Sequence, residues 1–191
     1  MTQTYDFNDG RGPVPAQQHP NGGGWVADTA TVAETAYVGP DARVFGSARV
    51  SGSAEVFGKA RVFGSARVYG SAVVFGNAVV FNIARVYGNA RISGSAVVFN
   101  IAQVSGNARV FGSARVSDPC SVAWGRTGGY DWTAYVQEDG SVFLRYGCEA
   151  HPLTWWLEQD KSLSVKHGED ESHWRFVQHT INGAKILKAK T

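Results

Sequence analysis

The side chains suited to catalysis or metal binding lie almost entirely outside the regular central part of this sequence. The chain has five histidines and two cysteines: His19, His151, His167, His173, His179, Cys120 and Cys148. Thiol, imidazole and carboxylate groups serve as nucleophiles, general bases and metal ligands. One alternative is a new site built from four such groups: Cys148, Glu149, His151 and His167. Their spacing matches no metal motif and no catalytic pair, so the sequence favours buried structural thiols and surface histidines, with no catalytic residue, metal or cofactor.

A second set of residues supplies cations and aromatic rings: Arg49, Arg67, Tyr69, Arg85, Tyr87, Arg145, Trp155 and Trp156. Cations contact phosphate groups and rings stack on bases, so nucleic acid or an anionic nucleotide is one candidate ligand. Arginine also packs over aromatic rings within a protein, and in that case the set only stabilises the fold. The net charge of only +2 argues against regular binding along a duplex and favours a small anionic ligand.

A six-residue repeat must position these side chains. Alanine occupies every sixth residue from Ala30 to Ala114, and Val or Ile follows two residues later. With Gly24 and Cys120 at the ends, the small position recurs in 17 hexads. Within Ala-Arg-Val-Phe-Gly-Ser the first four residues alternate between inward and outward, as in a strand with one buried face, and Gly-Ser or Gly-Asn forms a corner. The pattern predicts a solenoid of short parallel strands.

The aliphatic and small positions Val44 and Ala48, Val50 and Ala54, and Val62 and Ala66 resemble those of the hexapeptide-repeat left-handed parallel β-helix. That resemblance implies triangular coils of three hexads, or 18 residues. The sequence contains an independent sign of this period, because two corners that replace Gly-Ser by Asn-Ile, at residues 82–83 and 100–101, are 18 residues apart.

An 18-residue coil sorts the outward residues into three faces. The first face is a continuous apolar surface, too large to leave in water, and is the predicted interface between copies of the chain: Phe45, Phe63, Val79, Phe81, Ile83, Val97, Phe99 and Ile101. The resemblance implies a homo-oligomer, with a trimer as the first expectation and a dimer as the second. The second face carries the column Arg49, Arg67 and Arg85, and we expect these arginines to pack on Tyr69 and Tyr87 or to bind an anionic partner.

Many hexapeptide β-helices are acyltransferases or zinc carbonic anhydrases. The resemblance therefore also implies an enzyme, whose chemistry requires histidines on the coils and loops that leave the prism. This chain has no histidine between residues 24 and 122 and no interruption of the repeat. We therefore expect a non-enzymatic protein, with a hexapeptide-type acyltransferase as an alternative.

The flanking sequences predict two further segments. Residues 1–23 lack a periodic pattern and form a capping arm, while 24–122 form the solenoid. Residues 123–191 form a small α+β module, in which Tyr130–Val136 and Ser141–Tyr146 read as a hairpin. A short helix contains the Trp155-Trp156 pair, and a second helix starts near Glu169 and ends before Asn182-Gly183.

Three stretches, NGGGWVADTA, RYGCEAHPLTWWLE and KHGEDESHW, resemble a group of proteins carried by bacteriophages and prophages. The resemblance implies an interaction protein that binds a host macromolecule, and inhibition of a bacterial defence system is one role. The sequence has no apolar run long enough for a bilayer and no secretory signal at its start. We therefore expect the protein in the bacterial host cytoplasm, without a membrane partner.

Overall fold

The computed structural model describes residues 3–118, 122–137, 139–169 and 173–188, with the side chains of 186–188 excepted. The chain divides into two compact units, residues 1–119 and residues 120–191. The fold class is confirmed, because the protein is mainly β, with a parallel β-solenoid and a small C-terminal α+β module. None of the helices in the described part has the length and apolar character that a membrane span requires.

The first unit contains a hairpin followed by sixteen short strands that recur every six residues. Its strands are β1 (Thr4–Asp6), β2 (Pro13–Gln18), β3 (Trp25–Ala27), β4 (Thr31–Val32), β5 (Tyr37–Val38), β6 (Arg43–Val44), β7 (Arg49–Val50), β8 (Glu55–Val56), β9 (Arg61–Val62), β10 (Arg67–Val68), β11 (Val73–Val74), β12 (Val79–Val80), β13 (Arg85–Val86), β14 (Arg91–Ile92), β15 (Val97–Val98), β16 (Gln103–Val104), β17 (Arg109–Val110) and β18 (Arg115–Val116).

The sixteen strands form three parallel sheets, which we call the first, second and third faces. The first face runs β3-β6-β9-β12-β15-β18, the second β4-β7-β10-β13-β16, and the third β5-β8-β11-β14-β17. Each strand pairs with the strand 18 residues later, as Val62 pairs with Val80 and Val80 with Val98. The predicted 18-residue coil is confirmed, and the chain makes about five turns.

The core of the solenoid consists of the inward alanines and valines. Ala66, Val68, Ala84 and Val86 all have no exposed surface, and the other inward positions between Ala36 and Val116 are at most 2% exposed. Burying one valine side chain contributes roughly 1.5–3 kcal/mol, so the repeat accumulates stability one hexad at a time. The inward assignment from the sequence is confirmed.

The corners require residues that accept a left-handed backbone. Gly64 has a φ of +69°, and a Cβ at this position would lie 2.9 Å from the backbone nitrogen of Asn82 on the next coil. Asn82 and Asn100 adopt the same conformation with φ values of +59° and +52°. Their side chains are joined by a hydrogen bond from Asn82 Nδ2 to Asn100 Oδ1 at 2.9 Å, which places the two Asn-Ile corners on one edge of the solenoid.

The arm before the solenoid folds back onto the first coil. Strands β1 and β2 pair antiparallel, and β2 pairs antiparallel with β3. This pairing satisfies backbone groups at an edge of the first face that would otherwise be open. The arm also places Tyr5 on Trp25, with ring centroids 4.3 Å apart, and it buries Phe7.

The second unit is an antiparallel sheet with three helices. Its elements are β19 (Val122–Thr127), β20 (Tyr130–Val136), β21 (Val142–Tyr146), β22 (Glu149–Pro152), α1 (Leu153–Leu157), α2 (Ser162–Lys166) and α3 (Trp174–Lys188). The four strands pair in sequence order. Leu144, Trp156, Val177 and Ile181 lie in the shared core of this unit.

The structure differs from the sequence-based expectations at several places. The last parallel strand is β18, and Val122 lies in the antiparallel β19, while Cys120 is outside the described residues. The hairpin is present, but the sequence analysis missed β19, β22 and α2. The expected helix break at Asn182-Gly183 is wrong, because Ile181 and Ala184 are buried in the core and packing keeps α3 helical through the glycine.

Candidate functional site

The phenylalanine column of the first face is a stack within the protein. Phe45, Phe63, Phe81 and Phe99 follow one another with ring centroids 4.8, 5.0 and 5.4 Å apart and nearly parallel planes. The arm extends this column, because the ring of Phe7 lies 4.8 Å from that of Phe45. Much of the ring surface is therefore used in contacts between successive coils.

Two of the predicted interface residues are not accessible. Phe45 is 3% exposed and Phe99 is 8% exposed, so neither ring is free to contact another copy. Phe45 is covered because Phe7 lies on its ring and the guanidinium of Arg61 lies 5.3 Å from its centroid. The Arg115 guanidinium lies at the same distance from the ring of Phe99.

The part of this face that remains open is small and apolar. Ile83 and Ile101 are 56% and 48% exposed, and they lie on adjacent coils at the edge formed by the two Asn-Ile corners. Val79, Phe81 and Val97 beside them are half-buried. Together with Phe63, which is also half-buried, these residues form an open apolar strip.

The second face presents a column of exposed arginines. Arg49, Arg67 and Arg85 are in register on adjacent strands, and each is exposed. Within the described residues, none of their side chains has an ion pair, a hydrogen bond or an aromatic ring in contact. The expectation that they pack on tyrosine is wrong, because none of the three guanidinium groups lies over a ring among the described residues. Tyr69 and Tyr87 stack on each other at 5.0 Å with planes 2° apart.

The other outward residues of the second face carry no negative charge. The ten outward positions of its five strands include three arginines and no acid: Thr31, Ala33, Arg49, Ser51, Arg67, Tyr69, Arg85, Tyr87, Gln103 and Ser105. Adjacent strands are ~4.8 Å apart, so the three guanidinium groups form one positively charged row.

The first and third faces use their arginines differently. Arg43 lies over the ring of Tyr5, Arg61 lies over Phe45 and Phe63, and Arg91 lies over Phe75. Cation–π contacts of this kind stabilise the solenoid and occupy the cation. The second face therefore differs from the other two in leaving its cations free.

The predicted binding residues of the second unit differ in their burial and contacts. Trp156 is 1% exposed and donates a hydrogen bond from its indole nitrogen to the carbonyl of Leu144, so it belongs to the core and not to a binding surface. Trp155 is half-buried and stacks on His151, with ring centroids 3.7 Å apart. Arg145 is half-buried in β21.

The structure brings together the thiol, imidazole and carboxylate groups for which the sequence shows no motif. The Sγ of Cys148 lies 3.8 Å from Nδ1 of His167, and Nε2 of His167 lies 2.7 Å from Oε1 of Glu149. Nε2 of His151 lies 2.7 Å from the other carboxylate oxygen. The expectation of a buried thiol at Cys148 is wrong, because this residue is exposed in the turn between β21 and β22.

The Glu149 carboxylate is held in its charged form by this arrangement. Hydrogen bonds from His151 and, to a smaller extent, from His167 lower the pKa of Glu149, while partial burial acts in the opposite direction. A carboxylate only accepts hydrogen bonds, so both histidines carry a proton on Nε2. The Nδ1 of a neutral His167 therefore turns a lone pair towards Cys148.

A cavity of about 110 Å³ lies beside this cluster. Cys148, Glu149 and His167 line it, together with aromatic, aliphatic and polar residues of the same unit: Tyr130, Tyr146, Trp156, Leu163, Ser164, Glu169, His173 and Val177. Ser164 is 4% exposed, and its Oγ is a buried polar atom without a hydrogen-bond partner in the described part of the chain. Sequence reasoning missed Ser164, because an isolated serine in a polar stretch is not distinctive.

A second hydrogen-bonded network also lines the cavity. The Tyr130 hydroxyl donates to Glu169, which raises the pKa of Tyr130. The hydroxyl of Tyr146 donates to the carbonyl of Thr127 at 2.9 Å and lies 3.0 Å from Nε2 of His173, and burial raises the pKa of Tyr146 to about 12. Both tyrosines are therefore neutral hydroxyls at physiological pH.

The described residues bring no three potential ligands together in a metal-binding arrangement.

Comparison with protein families shows that residues 84–99 and 102–118 are similar to the YdcK Beta solenoid repeat. The comparison with curated proteins found no match, and neither did the comparison with solved structures. The family similarity thus covers two stretches of the solenoid, where it agrees with the observed repeat of short parallel strands.

Proposed function

We propose that this protein is a binding module whose solenoid recognises an acidic surface of a partner protein. The observation that carries the proposal is the row of Arg49, Arg67 and Arg85 on the second face, exposed and without intramolecular partners among the described residues. Three unpaired cations in one row repel one another, and an anionic partner relieves that repulsion.

The geometry of the row favours carboxylates as its ligands. Guanidinium groups bind carboxylates through two parallel hydrogen bonds, and a rigid sheet holds their stems in register. The rings of Tyr69 and Tyr87 are half-buried and stacked on each other, so they offer little free surface for nucleic-acid bases. Nucleic acid or an anionic nucleotide is therefore the second choice of ligand.

The test measures binding of a short fluorescent poly-glutamate peptide by anisotropy, beside a single-stranded DNA oligonucleotide of similar charge. The triple variant Arg49→Gln, Arg67→Gln, Arg85→Gln should weaken peptide binding by about tenfold or more, since each exposed pair contributes up to about 1 kcal/mol. Raising the salt concentration should also weaken binding of the peptide to the parent protein.

The matched control removes three positive charges from other parts of the solenoid: Lys59→Gln, Arg91→Gln and Arg109→Gln. It leaves the row intact and should bind the peptide nearly as the parent does. If both triple variants bound the peptide equally weakly, the effect would come from net charge alone, and the proposal would be refuted. Tighter binding of DNA than of peptide, lost in the row variant, would assign the row to nucleic acid instead.

Self-association is a second function, favoured by the open apolar strip. Exposed Ile83 and Ile101 adjoin the half-buried Val79, Phe81 and Val97, and a second copy of the chain would cover them. The resemblance to hexapeptide β-helices, which pack through their faces, supports a trimer first and a dimer second.

The resemblance to phage-borne proteins supports one kind of partner. We propose that the acidic surface belongs to a protein of a bacterial host, met in the host cytoplasm, and that binding inhibits a defence system. A hexapeptide-type acyltransferase receives no support from the solenoid, whose described residues carry no histidine between β3 and β18.

A further inference from the structure

The second unit contains a chain of thiol, imidazole and carboxylate groups that take no part in the proposed binding function. The Sγ of Cys148 lies 3.8 Å from Nδ1 of His167, and Nε2 of His167 lies 2.7 Å from Oε1 of Glu149. In the neutral form of His167, a proton on Nε2 points to the carboxylate, and the lone pair of Nδ1 then faces the thiol. This is the order of nucleophile, base and orienting acid that nucleophilic enzymes use.

From this order, and from the cavity beside it, we propose that Cys148 is the nucleophile of an acyl-transfer site that hydrolyses uncharged esters of small carboxylic acids. His167 is its general base, and Glu149 is a positioning residue. His151 is a second positioning residue, because it binds the other oxygen of Glu149 while its ring stacks on Trp155.

The local fold fixes these groups on three elements. Cys148 is the second residue of the two-residue turn between β21 and β22, and Glu149 begins β22 in register with Tyr146. The turn depends on Gly147, whose φ is +56° and where a Cβ would lie 3.0 Å from the ring of Tyr130. His167 ends α2, where its backbone N–H donates to the carbonyl of Ser164 at 3.0 Å.

The unpartnered Ser164 hydroxyl is an independent sign of a ligand. Buried polar atoms in proteins nearly always have a hydrogen-bond partner, and the Oγ of Ser164 has none among the described residues. Ser164 lines the same cavity as Cys148 and His167. The carbonyl oxygen of a bound acyl group would accept this hydrogen bond and would so be held beside the thiol.

The cavity limits the size and charge of the substrate. A cavity of about 150 Å³ is known to hold benzene, so the 110 Å³ here suits an acyl group of a few heavy atoms. Leu163 and Val177 supply apolar walls, and the carboxylates of Glu149 and Glu169 disfavour a negatively charged substrate. The alcohol part of the ester remains outside, on the exposed side of Cys148.

The reaction uses only the ester and water. The sulfur of Cys148 attacks the carbonyl carbon while His167 Nδ1 takes the thiol proton. The bond from carbon to the ester oxygen then breaks, and the alcohol leaves with the proton from His167. Water, deprotonated by His167, attacks the resulting thioester, and the carboxylic acid departs as the sulfur regains its proton.

The experiment follows release of nitrophenolate from p-nitrophenyl acetate and locates the acetyl group by peptide mass mapping. The parent should show a burst and carry one acetyl group on Cys148. Cys148→Ser should abolish the burst, and His167→Gln should slow acylation by about 100-fold, the usual range for loss of a general base. Cys120→Ser removes the other thiol of the chain and should retain the parent rate.

Tryptophan fluorescence checks that each variant is folded, because five of the six tryptophans lie in the second unit. A second measurement needs no variant: acetylation of Cys148 in the folded parent should be about tenfold or more faster than in guanidinium, where the base is no longer positioned. Equal rates in these two states, equal rates in the parent and His167→Gln, or an acetyl group on other residues in place of Cys148 would overturn the proposal.

Discussion

At the scale of single residues, arginines in the same hexad position have different environments. Arg61 lies over Phe45 and Phe63 and donates a hydrogen bond from a guanidinium nitrogen to the carbonyl of Phe7. Arg67, one hexad later, is exposed and lacks a side-chain partner within the described residues. The local sequence Ala-Arg-Val is the same at both positions. The difference arises because successive hexads belong to different faces, and the second face lacks the phenylalanine stack and the arm that contact Arg61 on the first face.

Glu149 contributes to the response of the second unit to acid. Its pKa is lowered from the usual 4.5, so the folded state holds the carboxylate in its charged form more firmly than the unfolded state does. Such a group contributes stability that is present above the unfolded pKa and is lost as the pH falls through the folded pKa. The contribution is therefore fully present well above pH 4.5 and is lost as the pH falls below 4.5.

We predict that the denaturation midpoints of the parent and of Glu149→Gln differ most near neutral pH and converge as the pH falls below 4.5, the usual pKa of the glutamate side chain. Tryptophan fluorescence follows the second unit. Asp139→Asn is the control, because Asp139 also has a lowered pKa but accepts from the backbone N–H of Ser141 in a separate turn. A difference between the parent and Glu149→Gln that stays constant with pH would show that the carboxylate charge has no part in the stability.

At the scale of elements, the corners control how closely the coils stack. At Gly64 the backbone of the next coil is so close that even one added carbon would meet the nitrogen of Asn82 at 2.9 Å. Asn82 adopts the same left-handed conformation although it has a side chain. That side chain donates a hydrogen bond to the side chain of Asn100. The corner therefore selects glycine or asparagine through backbone conformation and the space to the next coil.

We predict that Gly64→Ala destabilises the solenoid more than Gly112→Ala does. Both glycines have a φ near +69°, at +69° and +68°, so both substitutions incur the left-handed penalty of about 1 kcal/mol. Only Gly64 has the backbone of a following coil against it, since a Cβ at Gly112 would meet nothing within 4 Å among the described atoms. Urea denaturation followed by circular dichroism measures both variants, and equal midpoints would contradict the proposed role of coil spacing.

At the scale of the whole molecule, the chain combines two units with different folds. The solenoid is held by contacts between neighbouring coils, as expected of repeat proteins, whereas the second unit has one core shared by four strands and three helices. The two candidate functions divide between them, since the free arginine row lies on the solenoid and the Cys148 site lies in the second unit. For a variant in one unit, the function of the other unit can therefore serve as the control measurement.

We predict that the double variant Val79→Asp, Phe81→Asp abolishes self-association through the open apolar strip. Two charges buried in an interface without partners cost about 3 kcal/mol or more. The matched control is Val73→Asp, Phe75→Asp, which changes equivalent half-buried residues on the third face. Light scattering should show the parent and the control as oligomers and the first variant as a monomer. A monomeric parent, or equal effects of the two variants, would exclude this strip as the interface.

The sequence by itself determined the solenoid. A period of six with Ala and Val at fixed positions leaves one inward face per hexad, and the Asn-Ile corners 18 residues apart reveal the length of one coil. Such features are visible because each hexad repeats the same local physics, so Val62, Val80 and Val98 need no information from distant parts of the chain. The stack of Phe63 on Phe81 follows from the same period.

Only the tertiary structure decided which outward residues remain free. Phe45 is buried because the arm returns to it from residues 4–18. Arg67 is free because, among the described residues, its guanidinium lies over no ring and contacts no acid. The second unit has no repeat to interpret, so the contact of Cys148 with His167, 19 residues away, depends on how β22 and α2 pack. Contacts of this kind arise from long-range packing, which leaves no period in the sequence.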